Sequence, residues 1–155
     1  LGRHPSIEGH DPDQESEPLM SLSANDTTEI LQLYSRYSTA IDTGDCAGFA
    51  NCFVPNGIFD NGINVIEGTE GISKFADQTH SAMPGMRHNA MNIVLDEGEA
   101  PGVGDGNPPT ASGSAFLIGY LVDDGYKVIV TGRYLDDLEK TNAGWRFTKR
   151  VFKMD

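Results

Sequence analysis

The sequence predicts an α+β domain, with helices first and a curved mixed or antiparallel sheet second. Up to residue 85 the apolar residues recur at three- and four-residue spacing, and beyond it they alternate. Turns at 123–125 and 141–144 join the last three alternating runs into a meander. Helices gathered before an antiparallel sheet are the pattern of an α+β fold. Glycines 113, 119 and 132 lie inside the strand runs and fit a sheet that bends sharply.

Taken in order, residues 1–19 carry prolines and scattered acids without apolar periodicity. They read as an extension or expression remnant, with Met20 a possible natural start and 20–155 the domain. His4 and His10 belong to that extension. The first helix starts at Asn25 or Asp26, either a competent N-cap, with Glu29 where the helix dipole favours an acid. Ile30, Leu33, Tyr34, Tyr37, Ser38 and Ile41 form its buried stripe, and Gly44 stops it. Asp45 caps a second helix over 46–53, which Pro55 ends. A hairpin follows, 57–61 returning along 63–67. Thr69 opens a third helix with Ile72, Phe75, Ala76 and Thr79 facing inward, and Pro84 and Gly85 end that connection. Strands then occupy roughly 86–97, 110–122, 126–138 and 145–153, with a loop over 98–109.

The 155 residues suit one domain with a core that needs neither disulfide nor metal. A net charge of −12 repels phosphate backbones and anionic headgroups, so nucleic acid and membrane surfaces are excluded as expected partners. No apolar run reaches spanning length, and no charged-then-apolar leader opens the chain. Cys46 and Cys52, six residues apart on the expected second helix, point to different faces and read as reduced thiols of a cytoplasmic protein. No Cys/His spacing fits a zinc site, and the glycines of 102–106 precede no helix, so neither a metal nor a phosphate loop is expected.

Strand alternation puts His88, Ala90 and Asn92 on one face. Asp42 ends the first helix about 40° around the axis from Ser38 and about 80° from Tyr34, at the border of the buried stripe. If the sheet curls over that helix, the carboxylate can hold one imidazole nitrogen and leave the other free to take a proton. By spacing alone, the commoner arrangement is Asp42 capping the turn at Gly44 and His88 hydrogen-bonded in the core.

Four segments in order, YSRYSTAIDTGDCAGFANCFVPNGIF, EGTEGISKF, RHNAMNIVLD and GRYLDDLEKTNAGWRFTKR, resemble the SnoaL-like proteins of the nuclear transport factor 2-like (cystatin-like) superfamily over about residues 26–152. The relatives include polyketide cyclases, steroid isomerase, scytalone dehydratase, a dehydrochlorinase, limonene epoxide hydrolase and small subunits of ring-hydroxylating dioxygenases. The resemblance implies a cone-shaped sheet whose mouth the N-terminal helices close over an internal cavity. It also implies a homodimer formed through the sheet's outer face. In the dehydratase and dehydrochlorinase an aspartate ending helix 1 pairs with a histidine opening the first long strand; Asp42 and His88 match those positions.

The departures narrow the chemistry. No histidine follows residue 88, so the second histidine of the scytalone dehydratase pattern is missing. Tyr34 and Asp60 match two residues of the steroid isomerase pattern, but strand 111–120 has no acid to complete it. Arg133 and Arg150 are candidates for the arginine of the epoxide hydrolase pattern, and an ion pair on the outer face or rim is the commoner place for each.

The resulting expectation is a cofactor-independent lyase, isomerase or cyclase acting on a small apolar, cyclic or polyketide-like molecule. His88 is the base, Asp42 its orienting partner, and Tyr34, Tyr37 or Asn92 the donors, with Phe75 and Phe116 among the cavity walls or core. The alternatives are an epoxide hydrolase or steroid-type isomerase built on Asp60 and Tyr34, and a non-catalytic binding or assembly subunit. His80 reads as a cation at the end of helix 3, and Trp145 as packing a sheet edge.

Overall fold

Helix α1 spans Ala24–Thr43. Its N-cap is Ser23, whose hydroxyl accepts the Asp26 N–H at 3.0 Å, rather than Asn25 or Asp26. One oxygen of the Asp26 carboxylate accepts from the Ser23 hydroxyl at 2.6 Å, and the other does tertiary work, accepting from Lys140 Nζ at 2.7 Å and from Trp145 Nε1 at 2.8 Å. The start of α1 is thereby tied to the far hairpin of the sheet. Of the expected stripe, Ile30, Leu33, Tyr34, Tyr37 and Ile41 are buried, Ser38 is only partly so, and Ala40 joins them in the interior. The Gly44 N–H closes the helix on the carbonyls of Ala40 and Ile41.

The computed structural model describes residues 22–98, 106–123 and 125–155. The expectations for the 1–19 extension, a start at Met20, the glycines at 102 and 104 and most of the 98–109 loop fall outside those residues.

Asp45 caps α2 (Cys46–Ala50) by accepting the Gly48 N–H at 2.9 Å. The sequence predicts this helix to run to residue 53, and the structure corrects that. The Cys52 carbonyl accepts the Phe147 N–H at 2.9 Å, and Phe53 already pairs with Phe147, so the sheet captures the chain first. Strand β1 therefore runs Phe53–Asp60. Pro55, lacking an N–H, lies inside the register shift between Phe53 and Ile58, where the ladder is interrupted. The short β2 (Val65–Glu67) pairs antiparallel with β1, and α3 covers Gly68–Ala82.

Four long strands complete the sheet: β3 (Met86–Glu97), β4 (Thr110–Leu121), β5 (Lys127–Thr141) and β6 (Gly144–Met154). The strand order is β2-β1-β6-β5-β4-β3, with β1 and β6 parallel and every other pair antiparallel. Register shifts at Met91/Val94, Gly119/Tyr120 and Asp137/Leu138 add the twist that curls the sheet. At Gly113 a side chain would start 2.5 Å from the Tyr34 hydroxyl, so a glycine there lets α1 sit close on β4.

The interior between helices and sheet is packed with rings. Tyr37 stacks against Phe49 at 4.5 Å between centroids, and Phe53, Phe59 and Phe147 lie within 6.3 Å of it. Rings in tilted and edge-to-face contact add specific attraction to the large apolar area they bury.

Candidate active site

The last turn of α1 and the first residues of β3 meet at Asp42 and His88. Asp42 Oδ1 lies 2.6 Å from His88 Nδ1, and Asp42 Oδ2 accepts the backbone N–H of His88 at 2.9 Å. One carboxylate thus holds both ring and backbone of the same residue, which fixes the imidazole plane and places a proton on Nδ1. Both side chains are largely enclosed, 10% exposed for His88 and 12% for Asp42. His88 Nε2 takes no hydrogen bond among the described residues.

Local sequence explains why the pair can meet. Asp42 lies one turn beyond Ser38 and two beyond Tyr34 on the interior side of α1. His88 stands opposite Gly119 on β4, where Met86 and Val130 already close on the Cα, so a side chain at 119 would collide with both at 2.6 Å. His80 on α3 strengthens the same corner, with Nδ1 3.1 Å from the Ile41 carbonyl and its ring against Gly44.

A second polar group lies deeper. Arg150 is fully buried and grips Asp136, 4% exposed, through two 2.7 Å hydrogen bonds from Nε and Nη2. The Tyr34 hydroxyl donates to the same carboxylate. The guanidinium lies over four rings, 4.0 Å from the centroids of Tyr134 and Phe147, 4.2 Å from Tyr37 and 4.8 Å from Tyr34. Burial works against its charge, but Asp136 outweighs burial and raises the Arg150 pKa. Burial, then the charge of Asp136, pushes the Tyr34 hydroxyl up, and burial pushes Tyr134 up to about 12.

Several sequence expectations are corrected here. Arg150 is a core residue, not a rim or outer-face one, because the register shift between Asp137 and Leu138 turns it inward with Phe152. Phe116 is 44% exposed on the outer face, where Arg133 stacks on it at 5.3 Å, so it is no wall of the interior. Asn92 has φ 52° at the β3 irregularity and is exposed, because that bulge breaks the alternation that would align it with His88. Tyr34 is committed to Asp136, and Tyr37 is 1% exposed within the aromatic cluster. Asp60 accepts the Gly62 N–H at 2.9 Å in the β1–β2 turn, so the structure does not join it to Tyr34. Phe75 packs on Phe59 at 5.1 Å beneath α3. Trp145 is 1% exposed and bound to Asp26.

Sequence reasoning missed Asp136. Its signal was present: it alternates in phase with Tyr134 and Leu138, an acid on an otherwise apolar face. Among the described residues, no three His, Cys, Asp or Glu side chains converge as a metal site.

Comparison with known proteins decides the family. The SnoaL-like domain matches residues 23–151. The chain belongs to the SnoaL-like family. No curated protein matches the sequence. Among solved structures, a Mycobacterium tuberculosis protein of unknown function is 29% identical over 83% of this SnoaL-like chain and 71% of its own, with a TM-score of 0.71. A Nostoc punctiforme protein with a cystatin-like fold is 21% identical over 88% and 96% of the two chains, with a TM-score of 0.74. ActVI-ORFA from Streptomyces coelicolor is 20% identical over 83% and 97%, with a TM-score of 0.66. The last two establish a shared fold, the curved α+β architecture seen here.

Proposed function

We propose that this SnoaL-like protein is a cofactor-independent lyase, isomerase or cyclase that acts by proton abstraction on a small apolar molecule, cyclic or polyketide-like. The observation that carries the reading is the double grip of Asp42 on His88, which leaves Nε2 as the free basic atom. On the same side of the sheet, Ala90 two residues along β3 and Val130 across from Gly119 are partly buried apolar residues that can offer surface to a substrate. Nε2 takes the proton of an activated C–H, and the electron pair moves into an adjacent carbonyl or expels a leaving group. Asp42 stabilises the imidazolium that forms, and the proton returns to another carbon or to the leaving group. Of the three expected donors, Tyr34 and Tyr37 are held in the core, so the dyad stands as the reacting unit.

The test is hydrogen exchange of cyclic ketones such as 2-tetralone in D2O, followed by proton NMR. The wild-type protein accelerates exchange, and His88→Ala loses about 10²–10⁴-fold of that acceleration. Equal rates in the two proteins would remove the proposal.

A second reading, a binding or assembly subunit without catalysis, draws support from the deep interior, where Arg150 and the aromatic cluster fill the space between helices and sheet. It predicts no exchange with any ketone and loss of a partner's activity when this domain is removed. In either case we propose a homodimer through the outer sheet face, where Val94, Phe116 and Leu135 are exposed. Sedimentation of Phe116→Glu as a monomer beside a dimeric wild type checks it, and a monomeric wild type contradicts it.

A further inference from the structure

A cleft of about 450 Å³ lies between α1, α2 and the start of β6, on a different face of α1 from Tyr34, Ser38 and Asp42. Its apolar lining includes Leu33, Ala40 and Cys52, each buried. Arg36 from α1 and Arg146 from β6 also line it. Gln32, Ser35, Thr39, Thr43 and Asn51 add hydrogen-bonding side chains, so the cleft has the size of a small-molecule site and a lining that suits a ligand with both a polar and an apolar part.

The charges are the unusual part. The chain carries −12, yet two guanidiniums share this cleft, and neither is in an ion pair among the described residues. Arg146 donates to a neutral acceptor, the Trp145 carbonyl, at 2.8 Å. The acid in the lining, Asp45, is occupied in capping α2. Both arginines act on the Cys52 thiol: burial pushes it up to about 11, while Arg150, Arg146 and Arg36 pull the other way. Guanidinium forks without an acid are matched by a carboxylate, and the apolar lining is matched by a hydrocarbon body.

We infer that this cleft is a second binding site, separate from the Asp42–His88 pair, for a small organic carboxylate with an apolar body. The carboxylate lies against Arg36 and Arg146, and the body rests on Leu33 and Ala40.

Calorimetric titration with 2-naphthoate tests the site. Saturable binding at one molecule per chain is expected, at least about tenfold weaker for neutral 2-naphthalenemethanol and for the R36Q/R146Q protein, whose fold is checked by its melting curve. R36K/R146K keeps the charge and retains more of the binding than the glutamine pair. His88→Ala binds naphthoate as the wild type does, which separates this site from the proposed catalytic one. No saturable binding at millimolar naphthoate would overturn the inference. Undiminished binding to R36Q/R146Q, loss of binding in His88→Ala, or equal affinity for the alcohol would do so too.

Discussion

The Asp42 carboxylate spans His88, one oxygen 2.6 Å from Nδ1 and the other 2.9 Å from the backbone nitrogen. Ring and main chain are held together, so the imidazole cannot turn without breaking two charge-assisted contacts. Asp42→Asn keeps the shape but offers an amide N–H₂ where an acceptor stood. The expected outcome is a loss of about 10²–10⁴-fold in ketone exchange, with the melting temperature falling far less than activity. Parallel exchange and thermal scans measure both.

Asp136 and Arg150 are a buried pair inside an aromatic shell. Removing one partner leaves an uncompensated charge, so Arg150→Met costs about 3–5 kcal/mol in urea unfolding. The double substitution Asp136→Leu with Arg150→Met costs less than the single one, because no charge is stranded. Additive losses would show that the two residues act independently.

Much of this is legible in the sequence, and what is not depends on strand irregularities and on partners distant along the chain. The stripe of α1 and the bounds of β3 follow from periods of 3.6 and 2. Asp42 and His88 could be placed at facing ends of those elements by spacing, and joined only by family resemblance. Arg150 was misplaced because strict alternation from Trp145 and Phe147 points it outward, whereas the β6 irregularity reverses the phase. Asn92 failed for the same reason at the β3 bulge. Phe116 was ambiguous because β4 is apolar on both faces, with Ala115 and Leu117 inward and Phe116 outward. A helix was extended to 53 because local pattern does not see the parallel partner Phe147.

Asp26 ties α1 to Lys140 and Trp145, and hydrogen bonds from Lys140, Ser23 and Trp145 hold its carboxyl well below the usual range. Its folded-state pKa is depressed, so its contribution is fully present above the unfolded value, about 4, and fades as pH falls below it. Stability measured from pH 6 to pH 2 therefore declines more steeply for wild type than for Asp26→Asn. Parallel curves would contradict this.

Burial pushes the Cys52 thiol up to about 11, so near pH 8 it is almost wholly protonated and 3% exposed. Cys46 is only partly buried. Ellman's reagent is expected to label Cys46 first in the native protein, with Cys52 following only as the structure opens. Mass spectrometry of the labelled peptides reads the order, and Cys52 reacting first would contradict it.

The ring nitrogens of His88 give the most direct measurement. With ¹⁵N-histidine protein held above the imidazole titration, two-bond ¹⁵N–¹H correlation identifies which nitrogen carries the proton. The account predicts His88 protonated on Nδ1, facing Asp42, with Nε2 bare, and a change in that pattern in Asp42→Asn. A His88 ring protonated on Nε2 in the wild type would contradict it, because the atom assigned to take the substrate proton would already hold one.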